Sequence, residues 1–104
     1  MVRQYDVFRI RNGTKSGNVA YLIVLQSDAM RDIATAIVAP VSKIAATSVL
    51  KKVNIPILVE GETFHIMMPE MGAFSVKQLG MFVTNLQSVH DEVMSAIDLM
   101  FAGI

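Results

Sequence analysis

Two residue types are missing from the 104-residue sequence, which has no cysteine and no tryptophan. Without cysteine the chain can form no disulfide framework, no thiol nucleophile and no thiolate metal site, a composition that favours a cytoplasmic protein. Without tryptophan, and without a cluster of aromatic and basic side chains, it offers little for nucleic-acid bases to stack on. We therefore expect no direct, sequence-specific contact with nucleic acid.

Charged residues are also scarce, at 17% of the chain against about 25% in an ordinary soluble domain, whereas 53% of residues are hydrophobic. So few charges leave part of the surface apolar, which favours self-association. The longest strongly apolar block, Val19 to Leu25, has the length of a strand and falls far short of the ~18 residues of a membrane span. The sequence therefore predicts a homodimer with no membrane-spanning segment.

The net charge is zero, but its distribution along the chain is uneven. The chain carries eight basic and three acidic residues through Lys52, then one basic and six acidic residues from Val53 onward. A basic first half could meet an acidic partner or a phosphate backbone. Alternatively, folding interleaves the two halves so that their charges offset each other.

The hydrophobic pattern predicts a series of antiparallel strands within one domain, residues 1–104. The predicted strands are Val2 to Ile10, Val19 to Gln26, Ile33 to Ala39, Ile55 to Val59, Thr63 to Met68 and Ala73 to Leu79. This order, with one helix after the strands, predicts a small barrel-like or α+β domain and not alternating βαβ units.

Turn signals separate these strands. Asp28 is predicted to bond backbone amides in a turn from Ser27 to Arg31, and Pro40 is predicted to close the third strand. Glu60-Gly61-Glu62 is predicted as a hairpin turn, and Gly80 as the start of the link to the helix. Two further segments are predicted to lack regular structure, a loop from Asn12 to Asn18 and an irregular stretch from Lys43 to Lys52.

The last seventeen residues, Ser88 to Ile104, predict an amphipathic helix with Ser88 as its N-cap and Gly103 as the residue that ends it. Its apolar stripe, at the spacing i, i+4, i+7, i+8 and i+11, consists of Val89, Val93, Ala96, Ile97 and Met100. Met94, Leu99 and Phe101 lie outside this stripe, so the helix is more apolar than one packing face requires. Either the helix only docks on its own domain, or its free end also meets a partner.

The sequence contains no recognisable catalytic or metal-binding motif. His65 and His90 are its two histidines, and neither has a second ligand at a spacing that would hold zinc. Asp28 and Asp32 are close in sequence, but the segment between them is not predicted to be a helix that would pair them. We therefore expect no catalytic residues, no metal and no cofactor, and a domain that acts by binding.

Four short blocks carry a resemblance that extends over the whole chain. They are VLQSD (24–28), VAP (38–40), MMPEM (67–71) and AIDLMFAGI (96–104), of which the last is the most specific because it stands at the carboxyl terminus. With these blocks the sequence resembles the CcdB-type toxins of bacterial toxin–antitoxin systems.

The resemblance implies an α+β, mainly β fold, an SH3-like antiparallel barrel with one C-terminal helix, which forms a two-fold homodimer. It also implies a function as the toxin of a toxin–antitoxin module. Such proteins are not enzymes; they poison DNA gyrase by binding its A subunit and trapping the complex with cleaved DNA. A partly disordered antitoxin protein neutralises them.

The resemblance places the gyrase-binding site at Ala102, Gly103 and Ile104, with Phe101 as a supporting contact. The family ends in Trp-Gly-Ile, so Gly103 and Ile104 match this motif, while Ala102 stands in place of the tryptophan. A tryptophan at an interface centre often contributes about 2 kcal/mol or more, as measured by its truncation, so this difference weakens the expected binding to gyrase.

Two alternative functions stay open. A non-toxic CcdB-like homologue would act only as a dimeric module that binds an antitoxin. A ribonuclease toxin, on the similar barrel of the MazF-type family, would need a basic groove and an acid–base group near the scissile phosphate. The sequence offers the charge at Arg3, Arg9, Arg11 and Arg31, without an accompanying acid–base constellation.

Overall fold

A computed structural model describes residues 2–11, 19–30, 32–43 and 53–103. Its regular elements are β1 (Asp6–Ile10), β2 (Val19–Val24), β3 (Thr35–Ser42), β4 (Asn54–Val59), β5 (Glu62–Met67), β6 (Gly72–Ser75), β7 (Leu79–Asn85) and α1 (His90–Ala102). The strands form one curled antiparallel sheet in the order β4-β5-β3-β2-β1-β7, with β6 also paired to β3. The predicted fold class, α+β and mainly β with one C-terminal helix, is confirmed. The predicted loop at 12–18, Arg31 and residues 44–52 of the irregular stretch lie outside the described residues.

Side chains on β1, β2 and β3 alternate between two apolar clusters on opposite faces of the sheet. Tyr21 and Ile23 of β2 belong to the larger cluster, which α1 covers, whereas Leu22 and Val24 belong to the smaller one. A strand buried on both faces must be apolar at every position. This explains why the sequence of β2 is continuously hydrophobic.

Pro40 does not close the third strand, as predicted, but lies within β3, opposite Leu22 of β2. Leu25 donates its N–H to the carbonyl of Ile37 at 2.8 Å. Because hydrogen-bonded and non-hydrogen-bonded pairs alternate along an antiparallel ladder, the Leu22–Pro40 pair, three positions further along, exchanges no backbone hydrogen bonds. The nitrogen of Pro40 therefore faces the other edge of β3. On that edge the pairing with β6 ends at Val38 and the pairing with β5 begins at Val41, so the missing N–H falls between two partners.

The hairpin of β4 and β5 is confirmed, and its turn consists of Glu60 and Gly61. Both residues have positive φ, 51° and 82°, as a two-residue type I′ turn requires. Glu62, predicted as part of the turn, already belongs to β5, where it pairs with Val59.

The strand predicted from Ala73 to Leu79 is wrong, because a 3-10 turn at Val76–Gln78 divides this segment between β6 and β7. The hydroxyl of Ser75 accepts the N–H of Lys77 at 3.2 Å and so caps the turn. Gly80, predicted to open the link to the helix, is the second residue of β7, a strand that the sequence analysis did not identify.

The first strand begins at Asp6 and not at Val2, because Tyr5 adopts the left-handed conformation with φ of 68°. The turn at Asp28–Met30 is confirmed, and one carboxylate oxygen of Asp28 accepts the N–H of Gln4 at 2.7 Å, as predicted for its bonding to backbone amides. This bond joins the turn to the first residues of the chain.

The helix begins at His90, two residues after the predicted N-cap Ser88. A 3-10 turn at Gln87–Val89 precedes α1, and no side chain caps the helix at Val89. Its end agrees with the prediction: Gly103 has φ of 73° and donates its N–H to the carbonyl of Leu99 at 3.2 Å. In the described part of the chain, no helix has the length and apolar character that crossing a membrane requires.

Two exposed ion pairs connect the basic first half of the chain to its acidic second half. Arg9 contacts Glu60 at 2.9 Å, and Lys43 contacts Glu62 at 3.0 Å, so both pairs involve the β4–β5 hairpin. Folding thus interleaves the two halves at these positions, the second of the two alternatives that the charge distribution left open.

Candidate functional site

The end of α1 forms an exposed apolar terminus. The side chain of Phe101 is 74% exposed, and Ala102 and Gly103 are also exposed. Ile104, the fourth residue predicted for the site, lies outside the described residues. With no basic side chain in the last helical turn, the carbonyl groups at this end give it partial negative charge. The three described residues can therefore offer a partner apolar surface and hydrogen-bond acceptors, and their role in binding gyrase stays a prediction.

Packing of α1 on the domain fixes the position of this terminus. Val93 and Ala96 are almost fully buried in the larger apolar cluster, which also contains Met68 from the 3-10 turn after β5. The predicted stripe is confirmed, since Ile97 and Met100 pack against the same cluster. Leu99, which was predicted to lie outside the stripe, also packs against this cluster, whereas Met94 and Phe101 remain exposed. The helix therefore docks on its own domain and still leaves apolar side chains for a partner.

A hydrogen bond joins the start of α1 to the start of β1. The hydroxyl of Tyr5 lies 2.7 Å from Nδ1 of His90, and the two rings meet edge to face with centroids 5.7 Å apart. The backbone of Tyr5 also donates to the carbonyl of Val24 at 2.7 Å and accepts the N–H of Leu86 at 3.0 Å. His90, which the sequence analysis treated as isolated, thus has a partner 85 positions away. No local sequence signal indicates such a pair.

Replacing Tyr5 with phenylalanine is expected to lower the melting temperature at neutral pH by roughly 4–8 °C, because it removes a hydrogen bond worth about 1 kcal/mol. Burial, with a smaller contribution from Asp91, raises the pKa of Tyr5 above its ordinary value of 10.0. The folded protein therefore keeps a proton that the unfolded chain releases, so this stabilisation is complete below about pH 10 and is lost as the pH rises through the folded pKa. Thermal melts between about pH 8 and 11 should show a smaller alkaline loss for Tyr5→Phe than for the wild type. Equal losses in both proteins would contradict this assignment.

The carboxylates of Asp6 and Asp28 accept hydrogen bonds from the backbone near the first turn of the chain. Asp6 is buried; one of its oxygens accepts the N–H of Arg3 at 2.9 Å, and the other accepts Nδ2 of Asn85 at 2.9 Å. Asp28 similarly accepts the N–H of Gln4. Both carboxylates line a cavity of about 550 Å³ that Arg3 and Phe82 also border. Through these hydrogen bonds the two carboxylates hold the first turn of the chain in place.

The arginines that the ribonuclease alternative requires lie in different surroundings. Arg9 pairs with Glu60 and also lies over the ring of Tyr21, with its guanidinium carbon 5.5 Å from the ring centroid. Arg11 donates to the backbone carbonyl of Lys77 at 3.1 Å, and Arg3 borders the cavity at the first turn. Arg31 is outside the described residues. In the part of the chain that is described, the structure does not bring these arginines together around one acid–base group.

The histidines do not belong to a metal site in residues 2–11, 19–30, 32–43 and 53–103, which hold no group of three or more potential metal ligands among His, Asp and Glu. His65 lies half-buried in β5, opposite Ser42 of β3 and Pro56 of β4. Its neighbours are therefore residues of the two adjacent strands, as is usual for a histidine within a sheet.

The fold is shared with solved structures of small toxins. An endoribonuclease in complex with its cognate antitoxin, from a mycobacterial species, is 10% identical, with a TM-score of 0.78 over 98% of this chain and 96% of that chain. The Mycobacterium tuberculosis toxin MazF-mt6 is 14% identical, with a TM-score of 0.74 over 93% of this chain and 96% of that chain. At these identities the likeness shows the fold alone.

The family is shown by sequence. A model of the CcdB protein family matches residues 4–103, and the chain therefore belongs to the CcdB family of toxin–antitoxin proteins. The match includes Phe101, Ala102 and Gly103 of the candidate site. No curated protein sequence matches the chain significantly.

Proposed function

We propose that this protein is the toxin of a toxin–antitoxin module and that it poisons DNA gyrase in the cytoplasm by binding the A subunit and trapping the complex with cleaved DNA. The observation that carries this proposal is the CcdB family match over residues 4–103, which includes the end of α1. The exposure of Phe101, Ala102 and Gly103 supports it, because these residues are accessible to a partner.

Such an activity requires no catalytic residue in the toxin. A protein that binds one state of an enzyme more tightly than its other states shifts the population toward that state. If the end of α1 binds gyrase while DNA is cleaved, the energy of binding alone opposes resealing. The anchoring of α1 through Val93 and Ala96 suits this role, because it presents the contact residues on a fixed element and lowers the entropic cost of binding.

We further propose that the protein acts as a homodimer and is neutralised by an antitoxin protein. The solved relative in complex with its cognate antitoxin supports the second partner by analogy of fold. Exposed apolar side chains support self-association, and the largest are Met30, Ile33, Ile37, Leu58, Met81, Phe82, Met94 and Phe101. Where exposed apolar side chains form a contiguous patch, they mark a site of association in soluble proteins.

Light scattering at micromolar concentration is expected to give twice the mass of the 11.4-kDa chain. Burial of side chains such as Met81, which is 71% exposed in the single chain, provides the driving force. Dilution should convert the dimer to a monomer in a concentration-dependent manner. A monomer at micromolar concentration would contradict the proposed dimer.

The function is tested by a DNA supercoiling assay with purified gyrase, together with detection of cleaved DNA and an RNA-cleavage assay on the same preparation. Inhibition with accumulation of cleaved DNA is expected, without RNA cleavage. Expression in cells with and without a gyrase-resistant allele extends the test, since resistance should remove the toxicity.

Two other functions predict different results. RNA cleavage would favour the ribonuclease toxin, a function that the fold shared with an endoribonuclease supports. A folded dimer that affects neither gyrase nor RNA would favour the non-toxic module that only binds an antitoxin. The alanine at position 102, in place of the family's tryptophan, supports this function.

A further inference from the structure

The cavity beside the first turn of the chain is polar and large enough to hold a small molecule. Its volume of about 550 Å³ is within the range of ~300–1,000 Å³ that is typical of ligand-binding clefts. Its lining includes Arg3, Gln4, Asp28, Phe82 and Gln87. No described residue from the exposed terminus of α1 contributes to it. The cavity is therefore a site separate from the end of the helix.

Two hydrogen-bond acceptors of this lining have no donor within the described residues. One oxygen of Asp28 accepts the backbone N–H of Gln4 at 2.7 Å, which leaves the second oxygen for a ligand. The side-chain amide of Gln4 donates to the carbonyl of Leu25 at 3.0 Å, which leaves its own oxygen for a ligand. Asp6, in contrast, has a donor on each carboxylate oxygen. Because a hydrogen bond joins Gln4 to Asp28, their remaining oxygens suit a ligand with two neighbouring N–H donors.

Arg3 and Phe82 add a positive charge and an aromatic surface to the lining. Arg3 is exposed, and in the described part of the chain the ion pairs are those of Arg9 and Lys43. The ring of Phe82 is 52% exposed and meets Phe8 edge to face, with the ring centroids 5.9 Å apart. The charge of Arg3 disfavours a cationic ligand and favours one with an anionic end. The ring of Phe82 offers a flat ligand a surface on which to stack.

We propose that this cavity binds a free guanine nucleotide. Among the standard bases, guanine alone has two neighbouring donors on one edge, a ring N–H and an exocyclic amino group, and proteins read this edge by hydrogen bonds. The second oxygen of Asp28 accepts the amino group, and the amide oxygen of Gln4 accepts the ring N–H. The base stacks on Phe82, Gln87 donates its side-chain amide to the ring carbonyl, and Arg3 pairs with the phosphate. The proposal involves neither gyrase nor an antitoxin and so does not depend on the proposed function.

The test is isothermal titration calorimetry of the purified full-length protein with guanosine monophosphate (GMP). Adenosine monophosphate (AMP) should bind about 10–100-fold more weakly, because adenine has no ring N–H on this edge and leaves a charged acceptor without a donor. Guanosine, which lacks the phosphate, should bind about tenfold more weakly than GMP.

Asp28→Asn distinguishes a contact with the base from a structural role of this side chain. Asparagine retains an oxygen that accepts the N–H of Gln4, but it places an amino group where the second carboxylate oxygen was. GMP should bind to this variant about 10–100-fold more weakly. Xanthosine monophosphate, which has a carbonyl in place of the amino group of guanine, should bind to it more tightly than to the wild type. Asp98→Asn is the matched control and should not change the affinity for GMP, because Asp98 is exposed on α1 and does not line the cavity.

Arg3→Gln provides a second variant in case Asp28→Asn fails to fold, which its melting temperature would reveal. It should weaken the binding of GMP about tenfold and leave the binding of guanosine unchanged. Absence of GMP binding up to about 1 mM, equal affinities for GMP and AMP, or equal losses in Asp28→Asn and Asp98→Asn would overturn the proposal. It would also be overturned by tighter binding of free arginine, which would make the ligand a guanidinium, or of a guanine-containing RNA oligonucleotide, which would make it RNA.

Discussion

Replacing Gly80 with alanine is expected to destabilise the protein by about 2–3 kcal/mol and to lower its melting temperature by roughly 10–20 °C. A Cβ atom at this position would lie 2.7 Å from the carbonyl oxygen of Arg9 and 3.2 Å from the nitrogen of Arg11. Both are backbone atoms of or next to β1, so no side-chain rotation can relieve the contact. The two strands would have to separate at this point.

The pairing of β7 with β1 explains why the strands approach so closely here. Phe8 is opposite Phe82 and Ile10 is opposite Leu79, so β7 contains one residue more than β1 over this interval. Such a bulge increases the local twist, and glycine is common where another backbone comes close. Gly80 is therefore a requirement of the fold, whereas the sequence alone allowed it to be a simple connector.

Gly72→Ala is the matched control for this prediction. Gly72 lies in β6, and a Cβ there would meet nothing within 4 Å. Thermal melts of the two variants should therefore differ, with Gly72→Ala close to the wild type. Equal melting temperatures for both variants would show that β7 moves away from β1 at low cost.

The elements predicted correctly are those that local patterns determine. The β4–β5 hairpin has a turn whose residues adopt positive φ, and α1 has an apolar stripe and ends at Gly103. The errors occur where a distant partner decides the structure. Pro40 lies within a strand because β3 changes partners on one edge at this position. The segment of β7 forms a strand because it pairs with β1, although Met81 and Phe82 of β7 are exposed.

The same distinction applies to the candidate site. The family resemblance predicts a site at the chain end, and the structure adds that Phe101, Ala102 and Gly103 are exposed on an anchored helix. The contact between Arg11 and Lys77 was not predicted, because the two residues are 66 positions apart in sequence and meet through a backbone carbonyl. Such a contact depends on the path of the chain, which no short motif encodes.

Replacing Ala102 with tryptophan is expected to strengthen gyrase inhibition at least about tenfold if the proposed function is correct. The alanine offers one methyl group at a position where the family has an indole, which can bury ~200 Å² and stack on a cation. Ala102 is exposed at the last position of α1, so the larger side chain meets no tight packing. The substitution should cost only about 0.5 kcal/mol of helix propensity, and the protein should remain folded.

The measurement is the protein concentration that half-inhibits supercoiling, compared among the wild type, Ala102→Trp and Ser95→Trp. Ser95 is the matched control, since it is exposed on the same helix and about 10 Å from Ala102 along its axis. A gain confined to Ala102→Trp would attribute the effect to the helix end and not to a larger apolar surface in general. Equal gains in both variants would contradict a specific contact at this position. A potent wild type that tryptophan does not improve would place the main contact elsewhere on the protein, because the missing indole would then cost nothing.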